Sequence, residues 1–215
     1  MSRYPLVGHL LVSVSVCLIT AALAGGCSDN TQATPRITFE GSISPGRHTD
    51  PKLGDICTAQ FSPWFTIGSF GNPGLGHKDG KLDGPLVDPV RPVDDGADEQ
   101  QGKASVSCSV IAGGDGFDIA LHAELTGATG GAMTMSGHIK ADKGQTSPGV
   151  SLALTRKGET YSANAQCNVT FDTAQGHDIA AGRVWALIDC PDAAAPSAQR
   201  ICETKAHFRF ENCSQ

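Results

Sequence analysis

Cysteine is the residue type through which this chain could most readily do chemistry, because a thiol can form a disulfide, bind a metal ion or carry a lipid. The 215-residue sequence contains eight cysteines: Cys17, Cys27, Cys57, Cys108, Cys167, Cys190, Cys202 and Cys213. The last six are scattered, without a C-x-x-C pair or matching histidine spacing, so a metal site is disfavoured. We expect these six to form disulfides in an exported protein.

The pairing of these six cysteines is not fixed by the sequence, because many connectivities are open to them. Three pairs are nevertheless predicted: Cys190–Cys202, Cys167–Cys213 and Cys57–Cys108. The first would clip two adjacent strands across a proline-containing loop. The second would join a strand to the last strand through the core. The third is the pair that remains, and it would close an acidic segment at its base.

Other residue types provide no catalytic motif. The chain has no G-x-S-x-G nucleophile turn, and "GLGHKDG" lacks the Lys-Ser/Thr pair of a phosphate-binding loop. The histidines show no H-x-x-x-H or H-E pairing. Trp64 and Trp185 could stack on sugar rings if they are exposed, although a tryptophan on a strand more often fills a core. We therefore expect no catalytic residue and no cofactor.

Calcium is the metal to consider, because it takes about six to eight oxygen ligands and the segment 71–103 is acidic. Its weak candidate ligands are Asp79, Asp83 and Asp88. The local sequence "DGKLDG" does not have the D-x-[DN]-x-[DN]-G spacing of an EF-hand loop. No metal site is assigned on this basis.

Residues 1–26 have the layout of a secretory signal peptide. Arg3 precedes an apolar run from Leu6 to Ala24, and small residues follow that run. A transmembrane helix is the competing interpretation, since about 20 apolar residues span a bilayer. Polar residues inside the run and the lack of a following Lys/Arg cluster disfavour it. Cleavage could occur after Ala24, at an A-x-A site, or directly before Cys27.

The residues before Cys27, Ala24-Gly25-Gly26, resemble the lipobox of bacterial lipoproteins, in which small residues precede a cysteine that is acylated. Cys17 would leave with the signal peptide. If Cys27 carries a lipid, an even set of cysteines remains. If it does not, one thiol has no partner in an oxidising compartment, which is disfavoured. Parity therefore favours lipid attachment at Cys27.

Alternating apolar and polar residues predict the strands that would position the cysteines. In "FDIALHAEL", every second residue from Phe117 to Leu125 is apolar. Similar runs occur at 36–43, 57–70, 104–111, 132–140, 149–156, 161–171, 183–190 and 201–211. About nine strands with short turns predict an all-β fold, namely an antiparallel β-sandwich or, as the alternative, a barrel-like arrangement.

The expected organisation is a signal peptide at 1–26, a flexible tether at 27–35 and a single β domain at 36–215. Within that domain, residues 71–103 contain 7 Gly, 4 Pro and 7 acidic residues. Proline removes backbone donors and glycine adds chain entropy, so no regular element is expected in this segment. Loops of this length are usually either functional or mobile.

The charge balance disfavours nucleic acid and anionic lipid surfaces as electrostatic partners. The formal net charge is −6, and charged residues make up 18 % of the chain, below the usual share of about 25 %. A nucleic-acid-binding protein needs clustered Lys and Arg, as does a protein held electrostatically on anionic lipid. We therefore expect no nucleic-acid partner.

The lipobox-like start, the pair "VSCSV…GFDIALHAEL" and the ending "RVWALIDCP…CETKAHFRFENC" together resemble lipoproteins of Gram-negative bacteria that carry a cysteine-bridged β domain without an assigned activity. The resemblance implies acylation at Cys27, attachment to a membrane through that lipid, and no catalytic residues. Ser28 after the cysteine is compatible with sorting to the outer membrane. The implied location is the bacterial cell envelope, on the periplasmic face or the cell surface.

The resemblance makes a non-enzymatic structural or binding role the leading expectation. A carbohydrate- or calcium-dependent binding module that uses the 71–103 loop is the alternative. An exposed Trp64 or Trp185 beside clustered acids would support that alternative. A hydrolase is the third hypothesis, and it requires a nucleophile and a base that converge in a concave pocket.

Overall fold

The alternating runs of the sequence form strands. A computed structural model describes residues 33–46, 55–57, 60–71, 90–140 and 144–215. In the strand over Gly116–Leu125, the residues Ile119, Leu121, Ala123 and Leu125 are buried, and their neighbours face outward. Each of the nine predicted runs contains or overlaps one of the strands, in which successive side chains point to opposite faces of the sheet. These nine strand predictions are confirmed.

Thirteen strands are found in the described residues. Nine have at least seven residues: β1 (Arg36–Pro45), β3 (Phe61–Ile67), β6 (Gly102–Gly113), β7 (Gly116–Leu125), β8 (Gly131–Lys140), β9 (Thr146–Arg156), β10 (Glu159–Thr170), β12 (Arg183–Ala195) and β13 (Arg200–Glu211). Four have two or three residues: β2 (Asp55–Ile56), β4 (Val93–Asp94), β5 (Asp98–Glu99) and β11 (Asp178–Ala180). Within the described ranges, no helix is long and apolar enough to span a bilayer.

The strands belong to one sheet, whose main path runs β3-β1-β13-β12-β10-β9-β8-β7-β6-β5. Neighbours along this path are antiparallel, and only the short β2 lies parallel to β13 among the described pairs. The sheet curls into a half-barrel. The predicted all-β antiparallel fold is confirmed, and the single curled sheet is closer to the barrel-like alternative than to two separate sheets.

The inner face of the curled sheet holds the apolar core. Trp64 on β3 packs edge-on against Tyr161 on β10, with ring centroids 5.3 Å apart. Phe39 and Phe65 are also in contact, at 5.8 Å between centroids. Because β3 and β10 are not neighbours in the sheet, the Trp64–Tyr161 contact crosses the inside of the curl and ties the outer strand β3 to the middle of the sheet.

Other parts of the chain cover the edges of the sheet. On β6, the Val110 N–H donates to the Ser214 carbonyl at 2.9 Å, and the Ser214 N–H donates to the Cys108 carbonyl at 2.9 Å. On β3, the Arg156 guanidinium donates to the Trp64 carbonyl. An uncovered edge is a template for pairing with another chain, and these contacts occupy backbone groups that such pairing would use.

The cysteines of the β domain are all paired. The bridges are Cys57–Cys202, Cys108–Cys213 and Cys167–Cys190. The expectation that these six cysteines form disulfides is therefore confirmed. The predicted pairs are wrong in all three cases: Cys190–Cys202, Cys167–Cys213 and Cys57–Cys108.

The first pair fails because of strand register. Cys190 lies opposite Thr204 in the β12–β13 register, and Cys202 lies opposite Ala193, beyond a bulge. Cys190 instead bonds to Cys167 on the neighbouring strand β10, where the two Cα atoms are 4.2 Å apart. The prediction that Cys190 bonds to an adjacent strand is right, but that strand is β10 and not β13.

The other two predicted pairs fail because of how the chain leaves its strands. Asn212 has a positive φ of 60°, which ends β13 and sends the tail across to β6. Cys213 on that tail therefore bonds to Cys108. Cys57 lies beside the start of β13 and bonds to Cys202 there.

The prediction that 71–103 holds no regular element is wrong for its second half. Val93 in β4 pairs with β1 and is only 2 % exposed. The Asp95 carboxylate accepts the Val106 N–H at 2.8 Å, and Arg91 donates to both carboxylate oxygens of Glu99. Burial of one valine and these local hydrogen bonds offset the chain entropy of the glycines and prolines. Residues 72–89 of the segment, which contain the calcium candidates Asp79, Asp83 and Asp88, lie outside the described residues.

The predicted signal peptide and Cys27 also lie outside the described residues. The end of the predicted tether is described, and it is held rather than free. The Thr34 carbonyl accepts a hydrogen bond from the Asn212 side chain at 2.9 Å, and the Pro35 carbonyl accepts the Asp95 N–H at 2.9 Å. The expectation of flexibility is therefore wrong for these two tether residues.

We expect the three disulfides to differ in their contribution to stability. The Cys57–Cys202 bridge spans 145 residues and the Cys167–Cys190 bridge spans 23. From the loop entropy removed from the unfolded chain, the double substitution Cys57→Ala/Cys202→Ala should lower the free energy of unfolding by about 5 kcal/mol, and Cys167→Ala/Cys190→Ala by about 3 kcal/mol. Urea unfolding of both variants measures the difference. The reverse order would show that strain or packing, rather than loop entropy, sets these contributions.

Candidate functional site

A cluster of aromatic and charged side chains lies on the outer face of β12 and β13. Trp185, His207 and Arg209 point outward there, because the residues that alternate with them, such as Ala186 and Phe208, are buried in the core. Because Trp185 and His207 point away from the core, they are shielded from solvent by other parts of the chain. These are the segment after β3 and the loop before β11.

His207 is the centre of this cluster. The Trp185 indole N–H donates to His207 Nε2 at 2.7 Å, and His177 Nε2 lies 3.1 Å from the same atom. An indole nitrogen can only donate, so His207 Nε2 carries no proton. The Phe70 ring stacks on the His207 ring at 3.7 Å between centroids and 8° between planes.

The hydrogen bonds of His177 fix its tautomer as well. Its Nδ1 accepts the Asp172 N–H at 3.1 Å, so the proton of the neutral ring is on Nε2. That Nε2–H points at His207 Nε2, which therefore accepts two hydrogen bonds. The network is complete only while both imidazoles are neutral.

Local sequence brings His177 into place. Asp172 accepts the Ala174 N–H and begins a 3₁₀ turn over Thr173–Gln175. Gly176 follows with a φ of +75°, a conformation that favours glycine, and reverses the chain. His177 is thereby placed against the sheet and is only 2 % exposed.

Burial opposes protonation of both rings. Burial, with a smaller contribution from charge on His177, lowers the pKa of His207 to about 4. Burial also lowers the pKa of His177, although Asp172 acts in the opposite direction. A cation is disfavoured in this environment because it loses hydration and, on His207 Nε2, would meet two donors.

Ion pairs also lie beside Trp185. The Arg209 guanidinium lies over the Trp185 ring, 5.0 Å from its centroid, and donates to Glu211 at 2.7 Å. Glu211 also accepts from Arg36 at 2.8 Å. Burial acts to raise the pKa of the Glu211 carboxyl, but the hydrogen bonds and charges of Arg209 and Arg36 outweigh it and hold this pKa below its usual value.

A cavity of about 230 Å³ opens beside Trp185. Its walls include a second ion pair, in which Arg183 donates to Asp178 at 3.3 Å. Arg209 and Glu211 form the opposite side. The cavity thus combines one aromatic ring, two guanidiniums and two carboxylates, which suits a small polar ligand that carries charge.

A second cavity, of about 630 Å³, lies on the outer face of β6 to β10. Small polar side chains line it, and Ser107 and Thr134 lie opposite His122 in the strand register. A nucleophile activated by a base would show a hydroxyl–imidazole hydrogen bond, and no such bond joins these three described residues. This cavity gives no support to the hydrolase hypothesis.

The described histidines and acids do not form a metal centre. In the described ranges, no three or more His, Cys, Asp or Glu side chains come together in a way that could hold a metal ion. At His177 the reason is visible, because its Nδ1 accepts a backbone N–H and its Nε2 therefore carries the proton that a metal would have to displace.

The tryptophans do not present the sugar-stacking surface that the sequence left open. Trp64 is buried, at 7 % exposed. Trp185 is half-buried, and Arg209 lies over its ring. The sequence contained one signal that Trp185 faces outward. It is out of phase with the apolar residues Val184 and Ala186 on either side of it.

Three comparisons were made with known proteins. A scan against protein-family models, a search of curated proteins and a search of solved structures each found no match to this chain. The interpretation of the site therefore depends on its own geometry.

We expect the histidine cluster to make stability fall in mild acid. The unfolded chain takes up a proton on His207 near pH 6.5, whereas the folded protein does so only near pH 4. Stability from this group is therefore complete above pH 6.5 and is lost as the pH falls towards about 4, on the order of 3 kcal/mol in total. Urea unfolding at several pH values measures the slope, and His207→Gln should make it shallower.

His138 provides a matched control for this experiment. It is more exposed, and hydrogen bonds from its ring to Asp118 and Asp115 raise its pKa. Stability from such a group is present at low pH and is lost only as the pH rises above 6.5, so His138→Asn should retain the fall between pH 6.5 and 4. An unchanged slope in His207→Gln would mean that His207 is not the buried neutral group described above.

Proposed function

We propose that this protein is an exported lipoprotein of the bacterial cell envelope, attached to the membrane by a lipid on Cys27, whose disulfide-braced β domain has a non-enzymatic binding or structural role. The observation that carries the proposal is the pairing of all six cysteines of the β domain. Disulfides persist in oxidising compartments, which supports export. The outer membrane is the proposed location, on either its periplasmic face or the cell surface.

Disulfide pairing also bears on Cys27. The six cysteines of the domain use one another, so none of them is left to pair with a seventh. Cys17 lies within the predicted signal peptide and would be removed with it. Cys27 is therefore the cysteine that the fold can spare, which supports its use as the acylated residue of a lipobox-like sequence.

The geometry supports binding better than catalysis. The most highly organised polar cluster on the outer surface of the described chain is the one around Trp185, and its charges are arranged as ion pairs beside a small cavity. It has no hydroxyl or thiol poised next to a base. A charged, aromatic-lined cavity of this kind binds a ligand by complementarity, without covalent chemistry.

Intact mass spectrometry of the membrane fraction tests the proposal. We expect a chain that begins at Cys27 and carries a diacylglycerol and an acyl group. Full reduction should add about six daltons, since each of the three disulfides takes up two hydrogens. An unmodified chain that begins at Gly25 would overturn the lipid anchor.

The variant Cys27→Ser is the matched control. It removes the acylated sulfur without touching the β domain, so the lipid mass should disappear while the gain on reduction stays the same. A chain that retains the lipid mass in this variant would show that the lipid is attached elsewhere.

A further inference from the structure

The cavity beside Trp185 lies at the end of the sheet where the tether joins the domain. Glu211, which lines the cavity, is directly opposite Arg36 in the β1–β13 register and is ion-paired with it. Arg36 follows the two tether residues that are held by hydrogen bonds, Thr34 and Pro35. The cavity is therefore next to the point from which the chain runs back to Cys27.

The tether is too short to let this end of the domain move far from a lipid on Cys27. Six residue steps separate Cys27 from Ala33, the first described residue. Even a fully extended chain of this length spans only about 20 Å. This limit holds for any conformation of the tether, so the Trp185 end must stay close to the membrane surface.

The walls of the cavity carry both signs of charge. Arg183 is paired with Asp178, and Arg209 with Glu211. In each pair the arginine side chain is the more exposed partner, at 61 % against 36 % and at 27 % against 17 %. Each guanidinium has five N–H donors and uses only some of them in its pair, so donors remain for an anionic ligand group.

From this position and chemistry, we infer that the cavity holds the headgroup of a zwitterionic phospholipid from the membrane to which Cys27 is attached. The headgroup phosphate would accept from Arg183 and Arg209, and its ammonium would lie against Asp178, Glu211 and the Trp185 ring. The inference rests on the proposed lipid anchor and adds a second, non-covalent contact to it.

A zwitterionic headgroup fits better than an anionic one. The cavity pairs its cations with anions one to one, and exposed Asp94 lies opposite Arg36 on the neighbouring strand. This end of the domain thus has no cationic excess, and the whole chain has a net charge of −6. An anionic lipid surface would be repelled by the protein as a whole, whereas a headgroup of zero net charge would not.

Tethering removes the need for high affinity. A lipid anchor converts headgroup binding into an intramolecular event, at a high effective concentration. A single cavity with two guanidiniums and one aromatic ring is then sufficient to orient the domain on the membrane.

Fluorescence quenching of the two tryptophans tests the inference. The purified lipidated protein is reconstituted in vesicles that all contain the same small fraction of a phosphate-free sterol with a nitroxide at the membrane surface, so that quenching reports how close a tryptophan lies to that surface. The host lipid is phosphatidylcholine, phosphatidylglycerol or a phosphate-free galactolipid. We expect quenching to be strongest in phosphatidylcholine, and Trp185→Phe should remove most of it because Trp64 is buried.

A charge variant tests the inference independently, in case the tryptophan variant does not fold. Arg183 is exposed, and Arg183→Gln should lower the quenching by about twofold or more, since one arginine at a membrane surface has a measurable effect. Lys157→Gln removes an exposed charge from the opposite end of the sheet and should leave quenching unchanged.

The outcomes separate this inference from the lipid anchor. A chain with the lipid mass that shows no quenching, equal quenching in galactolipid vesicles, stronger quenching in phosphatidylglycerol, or no effect of Arg183→Gln overturns headgroup binding and leaves the anchor in place. A chain without the lipid mass overturns the anchor, and the headgroup inference falls with it.

Discussion

A single curled sheet has two outer strands, and their unpaired backbone groups must be satisfied or hidden if the protein is to remain a monomer. Much of this structure follows from that constraint. The C-terminal tail leaves β13 at Asn212, crosses to β6 and supplies Ser214 as a pairing partner. The Cys108–Cys213 disulfide fixes the tail beside the strand that it covers. On the opposite outer strand, Arg156 occupies the Trp64 carbonyl.

The same need for satisfied polar groups shapes the outer surface. Trp185 faces outward, so its indole N–H needs an acceptor, and His207 provides one. His207 can accept only while it is neutral, and stacking by Phe70 and contact with His177 keep water away from it. Phe70 also follows Ser69, which forms a bridge with Arg91. The cluster therefore holds this part of the chain against the sheet.

Most of the fold could be predicted from the sequence, because strand alternation is a local property. The run around Phe117–Leu125 shows its buried face without reference to any other strand. The disulfide pairs could not be predicted, because they depend on register shifts and on a chain reversal. Cys190 lies opposite Thr204 rather than Cys202, and the left-handed conformation at Asn212 sends Cys213 to a different strand.

The candidate site shows the same division between local and long-range information. The outward phase of Trp185 is visible in the sequence, because Val184 and Ala186 are the apolar positions of its strand. Its partners could not be identified, since His177 reaches it through a loop closed by Gly176, and Arg209 reaches it through the pairing of two strands. Such contacts depend on topology, which alternation alone does not specify.

The burial of the disulfides limits what a free thiol at Cys27 could react with. Cys108 is the most exposed of the six bridged cysteines, and even its exposure is only 8 %. Thiol–disulfide exchange requires a thiolate to reach a disulfide sulfur, so a further cysteine outside the domain would have no accessible bridge to attack in the folded protein. A free thiol at residue 27 would instead remain available for intermolecular disulfides. The proposed acylation would remove that thiol permanently, and it would do so at a residue only nine positions before Arg36.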